Sequence, residues 1–260
     1  MKDKYIEQIR YNNSSIKKLN NFNINSESLS ILGSDNFILF YRSPYIYIEK
    51  LLQDFDSNIV VLDLCCGDGI HSFTSALHGA NVFGVDYSKN SILIAKKRAD
   101  KFKLKNISFT ECDAEFLPFQ NNSIDVVTCI GSLSYLDLDK VIIEINRVLK
   151  NNGTFICLDS FKHNIFYRFN RYIRYILGNR SYSTLKRMPN SKTIKKFGQT
   201  FKILNIEYFG TLIFLTPLLR LFFKDKYIKK IIDTFDNKYK FFNKYAFKVV
   251  FILKKYNYLY

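Results

Sequence analysis

From residue 59 onward the chain alternates short, wholly apolar runs with longer stretches in which apolar positions recur three and four apart. The first pattern fits strands buried on both faces, and the second fits helices with one face in a core. Strands are expected near 59–64, 81–85, 107–111, 124–130 and 153–158, and helices near 69–79, 88–102 and 137–150. Ser88 supplies an N-cap for the second of these helices, and Asn151-Asn152-Gly153 a stop for the third. Strand and helix in regular alternation predict a Rossmann-like, doubly wound α/β sheet. Ahead of it, residues 1–58 are expected to form a helical cap, with a helix at 43–55 opened by Ser43-Pro44. Behind it, a helix at 191–200 and strands near 202–209 and at Phe247–Leu253 complete the pattern. The chain therefore divides into a cap (1–58), a core (59–160) and insertions that complete the sheet (161–260), with no internal repeat.

Within the core, one break carries chemistry. The run Val61-Leu62-Asp63-Leu64-Cys65-Cys66-Gly67-Asp68-Gly69 is an apolar strand that gives way to a glycine turn opening a helix. The next strand, Val82-Phe83-Gly84-Val85-Asp86, ends on a carboxylate. Glycines let backbone amides approach a ligand, and a carboxylate at the next strand tip can accept both hydroxyls of a ribose. This is the layout of a nucleoside-cofactor site.

Charge divides the chain unevenly. Residues 1–160 hold 17 Lys/Arg against 19 Asp/Glu, whereas residues 161–260 hold 22 against 4. From Phe161 to Asn205 there are 11 Lys/Arg and no acid, a field suited to phosphate, pyrophosphate or an anionic membrane face. With 260 residues and 47% hydrophobic content, the chain has room for a domain of about 150 residues plus an elaboration. Its five cysteines lie in or beside apolar runs without a CxxC pair, which argues for reduced thiols and against a metal site. The start of the chain lacks the apolar core of a signal peptide, and no segment reaches roughly 18 apolar residues. A cytoplasmic protein is expected, with peripheral contact at the inner face of a membrane as an option.

Five motifs in order make the sequence resemble the class I S-adenosylmethionine-dependent methyltransferases over roughly residues 50–160. Leu62–Gly69 is similar to the family's LDLGCGTG motif and Gly84-Val85-Asp86-Tyr87-Ser88 to its second. Cys112-Asp113-Ala114-Glu115-Phe116-Leu117-Pro118-Phe119 resembles the third, Asp125 through Tyr135, including Ile130, the fourth, and Arg147–Gly153 the RVLKPGG turn before strand five. The resemblance implies a seven-stranded sheet with an antiparallel last strand. It also implies S-adenosyl-L-methionine as cofactor. Asp63 and the Gly67 and Gly69 turn would then hold its methionine part, Asp86 its ribose hydroxyls, and Asp113 with Ala114 its adenine, with Cys65, Tyr87 and Ile130 as further cofactor-binding residues. Tyr41 and Arg42 are similar to residues that reach the cofactor carboxylate, with a surface role for Arg42 as the alternative. Cys65 stands where the family most often has glycine. Because cysteine has a Cβ, its backbone is expected to avoid positive φ, leaving the turn to Gly67 and Gly69. A nicotinamide site would want a third glycine where Ser72 stands.

Methyl transfer from a sulfonium is an in-line displacement in a dry pocket and needs no metal. A hydroxyl acceptor would use a base, and the chain has three histidines: His71, His78 and His163. His163, with Asp159 four residues earlier, opens the basic insertion and is the candidate base, with Tyr135 at the acceptor mouth. His78 reads as a helix C-terminal residue and His71 as a packing or supporting residue beside the glycine turn. The segments Phe161–Pro189 and Asp236–Lys254 resemble methyltransferases of bacterial surface-polysaccharide biosynthesis, which implies a sugar or glycolipid acceptor. Other small molecules and RNA stand as alternatives, although the N/D-P-P-Y/F signature of amino-methylating nucleic-acid enzymes is absent. A non-catalytic cofactor-binding or membrane-docking protein stands as a further one. Ile165, Phe169, Tyr172, Ile173 and Ile176 recur at helical spacing among Arg168, Arg171 and Arg174, either as a membrane-facing stripe or as a lid helix turned into the core.

Overall fold

The computed structural model describes residues 11, 13–22 and 39–256. Seven strands form one sheet: β1 (Val60–Leu64), β2 (Asn81–Asp86), β3 (Ile107–Glu111), β4 (Ile124–Ile130), β5 (Leu149–Ser160), β6 (Phe201–Phe209) and β7 (Lys248–Lys255), in the order β3-β2-β1-β4-β5-β7-β6. Only β7 runs antiparallel to its neighbours, pairing β5 on one side and β6 on the other. The expected fold, a seven-stranded sheet with an antiparallel last strand, is thus the observed one.

Alternation along the strands feeds two cores. Leu62, Leu64, Val127, Phe155 and Cys157 turn to one face, where α5 (Leu138–Val148) and α8 (Ser191–Phe197) cover them. Val61, Val82, Val126 and Ile156 turn to the other, under α2 (Ser43–Gln53) and α3 (Phe73–Leu77). Beside α3, α4 (Lys89–Lys101) buries Ile92, Ala95 and Ala99 against Phe73 and Phe109. Ser88 caps α4 by accepting from the Ser91 amide at 3.3 Å. Strands buried on both faces explain why this sheet reads as continuous apolar runs.

Several boundaries differ from the expectation. The first core helix is only five residues long, because the turn holding Gly69 at φ 80 delays it to Phe73 and Gly79 at φ 106 closes the segment. Strand β5 begins at Leu149 rather than 153, since Leu149 still pairs with Ile124 before the register shifts. The lysine-rich stretch after Phe223, unassigned from sequence, is α10 (Asp225–Lys238), which buries Ile228, Ile232 and Asp236 at a spacing of four. Asp236 accepts the Gly210 amide at 2.6 Å and the Thr211 amide at 3.1 Å, which ties α10 to the end of β6. Among the described residues no helix is long and apolar enough to cross a membrane.

Four further helices are α1, over residues 13–20, α6 (Ile165–Ile176), α7 (Tyr182–Lys186) and α9 (Thr216–Leu219). The apolar stripe of α6 is not turned into the core. Ile165, Phe169 and Ile176 are each about three-fifths exposed (59%, 62% and 65%), while Arg171 on the opposite side is buried.

Candidate functional site

The sheet order reverses at β1, whose neighbours β2 and β4 lead chain segments away in opposite directions. In open α/β sheets the crevice beyond the carboxyl ends of strands at such a point receives ligands. A cavity of about 330 Å³ lies there.

Its floor is the turn after β1. Cys65 takes φ 58 and Gly67 φ 58, so the chain reverses sharply and the Cys66 amide donates to the Val85 carbonyl at 2.9 Å. The expectation that Cys65 avoids positive φ is wrong. The turn requires a left-handed residue two positions before Gly67, just where the Cys66 amide reaches the Val85 carbonyl, and a small side chain packed against the core tolerates it. Gly69 does not line the cavity. A Cβ there would stand 2.8 Å from Phe109 Cζ and 3.0 Å from Ala95 Cβ, so this glycine serves the approach of α4 and β3 beneath the turn.

Two carboxylates mark the cavity. Asp86, at the tip of β2 and 5% exposed, accepts the Gly67 amide at 2.9 Å and the Ser88 amide at 2.8 Å. Burial pushes its carboxyl up despite those two donors. Each oxygen has capacity for one further donor, which suits vicinal hydroxyls. Asp63 accepts Ser72 Oγ at 2.5 Å and Thr128 Oγ1 at 3.0 Å, and burial pushes it up to about 6 against those hydrogen bonds. Asp113 accepts the Glu115 amide at 3.0 Å and so aligns the segment that brings Ala114 to the wall. A Cβ at Gly131 would meet nothing within 4 Å, which leaves an open mouth beside Ile130. A glycine turn, a carboxylate placed for ribose hydroxyls and a wall with Ala114 and Ile130 together fit a nucleoside cofactor.

Of the residues singled out from sequence, Asp63, Cys65, Gly67, Asp86, Tyr87, Asp113, Ala114, Ile130 and Tyr135 line this cavity. Tyr41, Arg42, Asp159 and His163 do not. The residues ahead of α2 lie at the β6–β7 side of the sheet, where Tyr41 meets Phe247 at 5.6 Å between ring centres. From the same segment Tyr45 reaches the cavity rim by stacking on His71 at 5.6 Å and 14°. Asp159 is 2% exposed and accepts the Leu133 amide at 2.9 Å and the Ser160 amide at 2.6 Å, a structural use of both oxygens. His163 is displaced outward because the preceding Phe161 ring turns into the core. It rests on that ring at 4.9 Å with Nε2 3.3 Å from Ser191 Oγ. Among the three histidines only His71 lines the cavity, and burial pushes it down to about 4, so it is neutral at physiological pH.

Sequence reasoning missed Tyr11, Asp68 and Arg187, all on the lining. Tyr11 covers the turn from above: its hydroxyl is 3.4 Å from Ser91 Oγ, and its ring lies 6.4 Å from that of Tyr135. Ser15 Oγ is 2.8 Å from Ser88 Oγ, and Lys18 reaches Asp68 at 3.4 Å. Arg98 pairs with Asp68 at 3.1 Å. Burial raises the Asp68 carboxyl, but Arg98 and Lys18 outweigh it and hold it below the usual carboxylate range. No local pattern points from residue 11 to residue 91. Asp68, by contrast, stood inside the glycine motif and could have been found there.

Comparison with known proteins agrees with this geometry. A demethylmenaquinone methyltransferase of Lactococcus lactis is 32% identical over 158 residues, covering 57% of this chain and 62% of the relative. One from Listeria welshimeri is 34% identical over 124 residues, covering 45% and 52%. The match thus spans between half and two thirds of these relatives' length. A geranyl diphosphate C-methyltransferase from Streptomyces coelicolor, solved with Mg2+, geranyl diphosphate and S-adenosyl-L-homocysteine, shares the fold at a TM-score of 0.61 and 15% identity, covering 94% of this chain and 98% of that one. The family described as methyltransferase domain matches residues 55–209, the stretch that holds the cavity floor and both carboxylates, and the chain belongs to that family, whose cofactor is S-adenosyl-L-methionine.

Proposed function

We propose that this chain methylates a small-molecule acceptor with S-adenosyl-L-methionine. The observation that carries it is the joining of the Asp86–Gly67 unit to a mouth walled by Ile130, Tyr135, Leu136 and Tyr11 in one cavity. The cofactor supplies a methyl group on a sulfonium sulfur, activated for displacement. Asp86 would hold the ribose hydroxyls, the Gly67 turn the methionine end, and Asp113 with Ala114 the adenine. Ile130, Leu136 and the two tyrosine rings exclude water from the reacting end, which strengthens alignment of nucleophile and methyl group. Neutral His71 presents an acceptor nitrogen at the cavity edge. Its low basicity suits orienting a hydroxyl rather than storing a proton.

The relatives named for demethylmenaquinone support an acceptor of small-molecule, quinone-like class over the sugar or glycolipid precursor implied by the carboxy-terminal resemblance. The exposed stripe of α6, interleaved with arginines, supports peripheral contact with an anionic membrane from which an apolar acceptor is drawn.

Titration calorimetry with S-adenosylmethionine and S-adenosylhomocysteine, followed by labelled-methyl transfer to extracts separated into lipid, small-molecule and RNA fractions, tests the reading. Micromolar binding and label in the lipid or small-molecule fraction are expected. Failure of both ligands to bind, or label confined to RNA, would overturn it.

A further inference from the structure

Beside the cofactor cavity lies a second one of about 480 Å³, between α6 and the segment 213–217. Arg171, Arg174 and Arg180 line it, and among the described residues no carboxylate does. Arg171 is 7% exposed, its guanidinium stands 5.3 Å over the Tyr167 ring, and among the described residues its Nε has no hydrogen-bond partner. Leaving a buried guanidinium donor unsatisfied and without a counter-charge is costly.

The surroundings do not neutralise it. Asp159 is the acid that senses Arg171, but Lys248 is its stronger partner and both its oxygens already accept amides. Among the described residues none of the three arginines forms an ion pair with a carboxylate, so a surplus of positive charge faces the cavity. Three guanidiniums exceed what a single carboxylate would balance. Their fork geometry matches the oxygens of phosphate or diphosphate. Phe166 and Phe214 stack at 4.4 Å on the same wall and give an apolar surface next to the charge.

The cavity also communicates with the reaction centre. Arg180 hydrogen-bonds the Tyr135 hydroxyl and places its guanidinium 5.6 Å over the Tyr135 ring, and Tyr135 lines the cofactor cavity. We propose that the arginine cavity is an acceptor subsite that takes the phosphate or diphosphate group of an organic acceptor, whose methyl-receiving end lies at Tyr135. This placement on the acceptor rests on the methyltransferase reading above; the anion site itself does not.

Inorganic pyrophosphate titrated into the full chain is the direct probe. One-site binding is expected, weakened tenfold or more by Arg171→Lys and by the exposed Arg174→Gln, while the affinity for S-adenosylhomocysteine stays within twofold in both variants. Phosphatidylglycerol vesicles, set against phosphatidylcholine vesicles, form the second arm. Arginine-dependent vesicle binding assigns the phosphate to a lipid headgroup, and arginine-dependent pyrophosphate binding without it assigns a soluble ligand. If the wild-type chain binds neither, or both variants bind as well as the wild type, the subsite is refuted while cofactor binding still supports a methyltransferase. If pyrophosphate binds and S-adenosylhomocysteine does not, the reverse holds. Phosphatase treatment of the acceptor fraction should cut methyl transfer at least tenfold, and undiminished transfer would remove the phosphate from the acceptor.

Discussion

The Gly67 amide donates to Asp86 Oδ2 at 2.9 Å, so the turn after β1 and the carboxylate at the tip of β2 are one hydrogen-bonded unit. Removing the carboxylate therefore acts twice. Asp86→Ala strips the cofactor of its hydroxyl acceptor and leaves the Gly67 and Ser88 amides without their partner. Affinity for S-adenosylhomocysteine should fall tenfold or more in calorimetry, with a stability loss of about 1–3 kcal/mol in denaturant. Asp86→Asn, which keeps one acceptor oxygen, should fall between the two. Equal affinities in wild type and Asp86→Ala would detach this carboxylate from the ligand.

Cys65 at φ 58 holds a conformation that disfavours a side chain. A left-handed non-glycine residue is less stable by roughly 1–2 kcal/mol, part of which a glycine would return through greater freedom of the unfolded chain. Cys65→Gly should thus raise stability by about 0.5–1 kcal/mol, read as a shifted urea midpoint at constant slope. A lowered midpoint would show that the thiol's packing outweighs the backbone strain.

That strained position marks where the sequence stopped being legible. The five core strands and β7 were readable because a sheet buried on both faces writes itself as apolar runs, and because Asp63 and Asp86 interrupt those runs near their ends, whereas the antiparallel direction of β7 came from the family resemblance alone. The φ of Cys65 was not, since it depends on where the chain must go to reach Val85. The outward position of His163 depended in the same way on the inward turn of Phe161 just before it. Tyr11 belongs to the site through contacts 73 and 80 residues away in sequence, Ser15 to Ser88 and Tyr11 to Ser91, and no local period encodes a pairing of that range. Arg171 was readable as part of an amphipathic stripe, but which side of α6 faced inward was set by the neighbours around it.

Gly84 in β2 is the tightest position of the cofactor-bearing half. A Cβ there would stand 2.4 Å from Phe109 Cδ1, whose ring is itself packed edge-on against Phe73. Gly84→Ala must displace a buried aromatic ring, at a cost of about 1–3 kcal/mol. Thermal unfolding should drop by roughly 2–12 °C for a chain of this size, with Phe109→Leu restoring part of it. No drop would mean that the Phe109 ring moves freely.

His71 makes stability pH-dependent. Its folded pKa of about 4 lies below the ordinary histidine value of 6.5, so the unfolded chain takes up a proton first on acidification. Its stabilising contribution is complete above about 6.5 and lost as pH falls toward 4, a change on the order of 2–3 kcal/mol because the ring edge still meets the cavity. Asp63, raised to about 6, acts in the opposite sense over nearly the same window, being most stabilising below about 4 and losing that contribution as pH rises through 6. The slope of the wild type alone therefore isolates neither group. The difference between wild type and His71→Gln isolates the histidine, and it should shrink steadily from pH 6.5 to 4. A constant difference would place the His71 ring in water.

Tyr11 and the helical segment α1 cover the turn after β1 through the Ser15–Ser88 hydroxyl pair, the Lys18–Asp68 ion pair and the Tyr11 hydroxyl beside Ser91. Lys18 is well exposed, so that pair contributes about 1 kcal/mol or less and weakens with salt. Tyr11 is different. Burial next to Asp86 pushes its phenol far above the usual range, which keeps it a neutral donor and an apolar cover. Because the cover lies across the mouth while the ligand's anchors lie on the floor, its removal should speed release more than it slows entry. Tyr11→Ala is expected to raise the dissociation rate of S-adenosylhomocysteine about tenfold in displacement kinetics, equivalent to roughly 1.4 kcal/mol, with association changed less than threefold. Tyr11→Phe, which keeps the ring and loses the hydroxyl, should sit close to wild type if cover rather than hydrogen bonding is what retains the ligand. Identical dissociation rates for wild type and Tyr11→Ala would show that Tyr11 does not cover this site.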